Sequence, residues 1–191
     1  MEQTKWATAP LPLATQLGSI SFVDKTVKVR LAGKHNLQTD GGDVPIDIKF
    51  SEPSFFDVFG FKLLSGNAQS LADNPTTLFL TESTAEKIFG RSSALGQNVR
   101  LENLGSYTVG GIIQDPPLET HLPIEAMLSI NAAEMLEKKG AISTISHNWG
   151  DFKSSAIYAR LKSEDAIKQL NTTLQNYNRK LDKSTLQFLA Q

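Results

Sequence analysis

An α+β fold is predicted by three features of the chain. Short stretches in which apolar and polar residues alternate recur at 26–31, 44–50 and 155–161. One long apolar stripe at helical spacing, Ile167, Leu170, Leu174, Tyr177 and Leu181, runs near the C-terminal end. Between them, glycine and proline stop signals divide the middle of the chain into brief elements.

The elements follow in order. Two prolines, then Leu11, Leu13, Ala14 and Leu17 at helical spacing, predict a short helix within 6–17. Val27, Val29 and Leu31 alternate with Thr26, Lys28 and Arg30, a half-buried strand. The polar stretch 33–43 reads as a connection turning at Gly41-Gly42. Val44, Ile46, Ile48 and Phe50 form a second strand that Pro45 confines to an edge or an end. Thr77 to Leu80 is a short strand, after which Thr81 caps a helix with Ala85, Ile88 and Phe89 on one face and Gly90 as its left-handed terminator. Val99 and Leu101 flank Arg100 in a strand, Gly105-Ser106 turns, and Tyr107 to Gln114 runs until Asp115-Pro116-Pro117 stops it. Met127 to Ile130 is a strand, and Asn131 caps the helix 132–139, which Gly140 closes. Ser155 to Leu161 is a strand, and Ser163 caps the last helix, with Glu164 and Asp165 in its first turn.

Composition excludes several function classes. The 191 residues make one domain or two small subdomains, and 40% hydrophobic with 20% charged residues argues against disorder. With 19 Lys+Arg against 20 Asp+Glu the net charge is −1, so no basic excess marks a nucleic-acid binder. The absence of Cys removes disulfides, thiol catalysis and Cys-based zinc sites. No stretch reaches the ~18 apolar residues of a membrane span, and residues 1–5 lack the apolar core of a signal peptide, so the chain reads as soluble.

Catalytic motifs are also missing. There is neither a phosphate loop nor a dinucleotide fingerprint, and Gly110-Gly111 falls inside a predicted strand, where close backbone approach or a bulge is expected. No nucleophile elbow exists, and His35, His121 and His147 stand in no catalytic or metal-binding pattern. No catalytic residue, cofactor or metal ligand is assigned. Asn171-Thr172-Thr173 matches a glycosylation tripeptide but lies within the last helix. Of ten Phe, five fall within 50–61: Phe50, Phe55, Phe56, Phe59 and Phe61. They form either a core cluster, the favoured reading, or an apolar groove for a hydrophobic ligand or partner helix.

Three consecutive blocks carry a resemblance: SEPSFFDVFGFKLLSGN, LFLTESTAEKIFGRSSALGQNVRL and YTVGGIIQDPPLETHLP. In this order and spacing they resemble the MacB-like periplasmic core domain of FtsX-type ABC transporter permeases, in the form of the two-copy permeases of Bacteroidetes. Matching positions are Phe55, Phe56, Phe59, Leu64 and Gly66, then Thr81, Glu82, Ala85, Phe89, Gly90 and Gly96, then Tyr107, Val109, Gly111, Asp115, Pro116 and His121. Gly110 stands where the family pattern has Thr. The segment 9–14 is similar to the stretch after the first membrane helix of these permeases, and 185–191 to the stretch leading into the next.

The resemblance implies a two-lobed extracytoplasmic domain. Residues 1–40 and 150–191 would form a βαβ-like membrane-proximal lobe from both chain ends, with 41–149 inserted as a mixed α/β distal lobe. Gly66, Gly90, Gly96, Gly111, Asp115, Pro116 and His121 would be fold determinants, with His121 bonding the Asp115-Pro116 turn. Trp6 and Trp149 would anchor the packing between lobes or face lipid headgroups, with core burial expected for Trp149. The implied function is non-catalytic: the domain, on the periplasmic face of the inner membrane, couples ATP-driven motion of membrane helices to export, extraction or signalling. Its implied partners are flanking membrane helices, a separate cytoplasmic ATPase and a periplasmic adaptor or lipoprotein, with no nucleic acid. The alternative is a regulatory module that activates a cell-wall hydrolase or binds an adaptor.

Overall fold

A computed structural model describes residues 8–39, 41–90, 93–117 and 120–180, excepting the side chains of 177–180. Trp6, the segment 181–191 and the Tyr177 side chain lie outside the described residues. The elements are α1 (Leu13–Gly18), β1 (Val23–Thr39), β2 (Gly42–Ser51), α2 (Ser54–Phe59), β3 (Leu63–Gly66), α3 (Ser70–Asp73), β4 (Thr77–Thr81), α4 (Glu82–Phe89), β5 (Asn98–Leu101), β6 (Gly105–Ile113), β7 (Ala126–Ser129), α5 (Ile130–Lys138), β8 (Ser155–Leu161) and α6 (Ala166–Lys180). This is the mixed α/β architecture the alternating stretches predict.

The described strands join in one sheet of order β2-β7-β4-β6-β5-β1-β8, with β3 on β6. Because β2 also pairs with β1, the six strands β1, β2, β7, β4, β6 and β5 close a circuit. The pairs β2–β7 and β4–β6 are parallel and the rest antiparallel. Pro45 lies where β2 pairs β1 alone, beyond the β2–β7 ladder that begins at Ile48. Its missing N–H therefore costs no ladder bond on the β7 side.

The longest strand is the element sequence reading most shortened. The polar stretch after Leu31 is strand, not connection: β1 continues to Thr39, pairing β2 on one edge and β5 at Leu37 and Gln38 on the other. A bulge between Leu31 and Gly33 makes this possible, with Gly33 at φ +79°, a left-handed conformation that glycine adopts at little cost. One extra residue reverses the faces of everything after it. Val27 and Val29 therefore enter one core and Leu37 another, although all three are odd-numbered.

Three cores result. The first lies within the circuit, where Leu37, Ile46, Ile48, Phe50, Leu78, Leu80 and Leu128 meet Ala132, Ala133 and Leu136 of α5. The second lies on the opposite face, where Val27, Val29, Phe79, Met127 and Ile113 pack against Phe55 and Phe56 of α2 and Leu71 of α3. The third is smaller: Ala9, Leu13 and Leu17 meet Leu170 and Leu174, with Ile157, Ala159 and Leu161 of β8 beneath. Ile167, expected on the buried stripe, is 43% exposed, and Ala166 takes its place at 2%. The helix begins at Ala166, whose N–H donates to the Ser163 carbonyl.

Several local signals resolve differently from expectation. Ser129 caps α5, its hydroxyl accepting from the Asn131 N–H, so the helix starts two residues before the expected 132. The turn before β6 is at 102–104, where Asn103 has φ +63°, and Gly105-Ser106 already belong to the strand. Gly90 ends α4 at φ 60°, ψ −128°, outside the left-handed helical basin.

Gly66 is the tightest glycine. At φ +91° it lies against β6, and a Cβ there would collide with the Gly110 carbonyl oxygen and come within 2.6 Å of Gly111 Cα. Neither neighbour is a side chain that could rotate away. Gly66→Ala should therefore lower stability by about 3 kcal/mol or more, adding backbone strain to overpacking. Urea denaturation would show this, and a change under about 0.5 kcal/mol would contradict the packing described.

Candidate functional site

The five phenylalanines of 50–61 do not form one cluster. Phe50 closes the circuit core from β2, while Phe55 and Phe56, five and six residues later on α2, fill the core on the opposite face. Phe55 is fully buried and touches the rings of Phe56, Phe59 and Phe61 at centroid distances of 5.7, 4.9 and 4.9 Å. Phe59 and Phe61 are half-buried and, with Pro116 and Pro117, line an open cavity of about 220 Å³. Phe59 also stacks edge-on against Tyr158 of β8 at 4.8 Å, with the His121 ring 6.4 Å away. So β8 bears the chain-end helices on one face through Ile157, Ala159 and Leu161 and the aromatic group on the other through Tyr158.

The motif residues of the third block make structural contacts. The Asp115 carboxylate accepts from the Ser83 N–H at 3.0 Å and the Ser83 hydroxyl at 2.8 Å, so it caps the N-terminus of α4 from across the fold. The residue at the cap position, Thr81, donates instead to the Thr84 hydroxyl, and its expected capping bond is not formed. Gly111 lies against the Phe79 ring, where a Cβ would approach to 2.9 Å, and at Gly110 a Cβ would run into the Thr77 methyl. That contact accounts for glycine where the family pattern has Thr. Among the described residues His121 makes no hydrogen bond to the turn: the Thr120 N–H reaches the Pro117 carbonyl, and His121 is exposed beside Phe59 and Tyr158. Gly96, at φ +82°, donates its N–H to the Val109 carbonyl and ties a turn to β6.

A buried ion pair joins β1 to α5, and sequence reading missed it. Arg30, on the strand face expected to meet solvent, is only 4% exposed and pairs with Glu137. The Glu137 carboxylate also accepts from the Ile145 N–H, the Ser146 N–H and the Ser146 hydroxyl, at 2.9 to 3.0 Å. Arg30 donates in turn to the Ser143 carbonyl at 2.7 Å. The segment 143–146 is thus held by one ion pair. Burial alone would push the Glu137 carboxyl up, but the Ile145, Ser146 and Arg30 donors outweigh it and hold the group below its ordinary value. A charged residue at an alternating polar position carries no sequence sign of such a partner 107 residues away.

The two ends of the described chain are also tied together. The Ala9 N–H donates to the Ser155 carbonyl at 2.9 Å and the Ser155 hydroxyl returns to the Ala9 carbonyl at 2.7 Å. Lys162 bonds the carbonyls of Ser21 and Phe22 through its ammonium and its N–H. Trp149 packs half-buried against the third core, beside these helices. Among the described residues no group of three or more His, Asp or Glu is arranged to hold a metal ion, and no helix is long and apolar enough to cross a membrane.

The profile of the MacB-like periplasmic core domain matches residues 2–177. The chain belongs to that family. As a MacB-like periplasmic core domain it shares its fold with three solved structures. A domain assigned to a permease protein from Porphyromonas gingivalis superposes with a TM-score of 0.75 at 20% identity, covering 97% of this chain and 88% of that one. The extracellular domain of the noncanonic ABC-type transporter YknZ from Gram-positive bacteria gives 0.68 at 16% identity, over 96% and 89%. The periplasmic region of MacB from Actinobacillus actinomycetemcomitans gives 0.69 at 16% identity, over 91% and 76%. No curated protein sequence matches the chain.

In this domain the Glu137 carboxylate supports an acid-sensitive joint. Because its native value lies below the unfolded one, its contribution to stability is complete above about pH 5 and is lost as the pH falls through the native value. Glu137→Gln should therefore destabilise the domain at pH 7 by about 3 kcal/mol, since it leaves Arg30 buried without its counter-charge. The gap from wild type should narrow as denaturation curves are taken down to pH 3, and a gap independent of pH would contradict this role.

Proposed function

We propose that this domain is a non-catalytic periplasmic part of an ABC transporter permease, transmitting motion of membrane helices driven by a separate cytoplasmic ATPase. The observation that carries the reading, beyond family membership, is the joining of the two chain ends on one strand pair. Helices attached at both ends would pull on β1 and β8 together, at the root of the sheet, so their displacement moves the whole domain. The chain-end layer of α1, β8 and α6, with the first half of β1, is the membrane-proximal part; it falls within the expected 1–40 and 150–191, but the second half of β1 leaves it for the distal circuit. The inserted 41–149 segment is distal. The work delivered is export, extraction or signalling outside the inner membrane, and a periplasmic adaptor or lipoprotein is its recipient.

The hairpin tip at the end of β1 is the position that reads this motion. β1 spans on the order of 55 Å, so the exposed Asp43 just past the tip lies far from the chain ends. These 191 residues have no Cys, so Asp43→Cys takes a single donor dye in a permease and ATPase otherwise free of Cys. In the full permease reconstituted with its ATPase into vesicles carrying an acceptor lipid, energy transfer from this site to the bilayer should differ between nucleotide-free and vanadate-trapped states. Equal transfer in both states while ATP is being hydrolysed would overturn the coupling.

A further inference from the structure

A cavity of about 280 Å³ opens where α1, β1, α5 and the segment 146–149 meet, away from the aromatic group. Its walls are apolar at Leu11, Pro12 and Trp149 and charged at Lys28 and Glu134, with His147 also in the lining. Lys28 is half-buried and Glu134 exposed, and neither side chain has a hydrogen-bond or ion-pair partner among the described residues. They are also not paired with each other, so the cavity presents one unmatched cation and one unmatched anion beside the apolar Leu11, Pro12 and Trp149. Opposite charges left apart at a concave site are the complement of a ligand that carries both.

The walls are held before any ligand arrives. Ser146 is fixed twice on the Glu137 carboxylate, and the Gly150 N–H bonds the Asn148 side-chain oxygen at 2.8 Å, which sets the course of the chain through His147 and Trp149. A site organised in advance loses less on binding than one that must be ordered. Its volume of about 280 Å³ is just under the ~300–1,000 Å³ of sites for drug-sized ligands and suits an occupant the size of an amino acid or a dipeptide.

We infer that this cavity is a binding site for a small apolar zwitterion, a free amino acid or dipeptide, with its carboxylate on Lys28, its ammonium on Glu134 and its side chain against Trp149. The inference goes beyond the permease reading and does not rest on it. An occupant would bridge α1, in the chain-end layer, to the segment held by the Arg30–Glu137 pair, and so stiffen the joint between them.

The test is a titration of the isotope-labelled domain with phenylalanine, followed by NMR. Saturable shifts are expected at the Trp149 indole N–H and the His147 amide. N-acetyl-phenylalanine, which lacks the ammonium, and phenylalaninamide, which lacks the carboxylate, should each bind at least tenfold more weakly. Lys28→Met should abolish the preference for a free carboxylate and Glu134→Gln the preference for a free ammonium, with the melting temperature unchanged. If Lys28→Met does not fold, Lys28→Gln serves for the same comparison. Non-saturating shifts spread over the surface, or equal binding of all three probes, would overturn the assignment.

Discussion

The uninterrupted course of β1 is the constraint on which the rest of the structure depends. Its first half pairs with β8 and carries the chain-end helices, and its second half pairs with β2 and β5 to close the circuit. A flat strand could not serve both, because the apolar residues needed at 27, 29 and 37 would all point the same way. The single extra residue before Gly33 resolves the conflict and lets one strand feed opposite cores. Arg30 lies just before that bulge, paired to β2 and β8 at once, and its ion pair ties α5 to the place where the two halves meet.

Under the proposed function this arrangement has a mechanical meaning. A domain that transmits displacement needs an input where the chain ends are attached and a stiff path away from it. Ala9, Ser155 and Lys162 join the ends by hydrogen bonds, and β8 presses Tyr158 onto Phe59 on its far face. The exposed pairs of Lys25 and Arg160 with Asp57 and of Arg160 with Asp24 cross the same junction, but ion pairs in water contribute little each, so the stiffness comes from strand pairing and packing.

Much of the fold was legible because its elements are locally consistent. Strands at 44–50, 77–80 and 155–161 and the last helix follow from the spacing of their apolar residues, although burial departs from that spacing at Lys49, along β4 and β8, and at Ile167. The length of β1 was not legible, because residues 33–39 earn their strand from partners rather than composition; only Leu37 among them is fully buried. Capping failed for a related reason. Asp115 caps α4 from 32 residues away, and a donor or acceptor that arrives through tertiary structure leaves no mark near the helix it serves. The glycine blocks gave the opposite lesson: Gly66, Gly110 and Gly111 sit together where two strands and the Phe79 ring approach, so their grouping in sequence blocks reported a contact. The Phe-rich run told of burial but not of its division, since the passage from β2 to α2 carries Phe50 and Phe55 to opposite faces.

Whether β1 makes the chain-end layer and the circuit one body is tested most directly by native-state hydrogen exchange along that strand, in the wild type and in Arg30→Met. If β1 is a single spine, amides at 26–30 and at 34–38 should open with the same free energy. Arg30→Met should then lower protection in both stretches by the same factor. Two distinct opening energies, or a loss confined to one stretch, would contradict the account and leave the two ends of the domain mechanically independent.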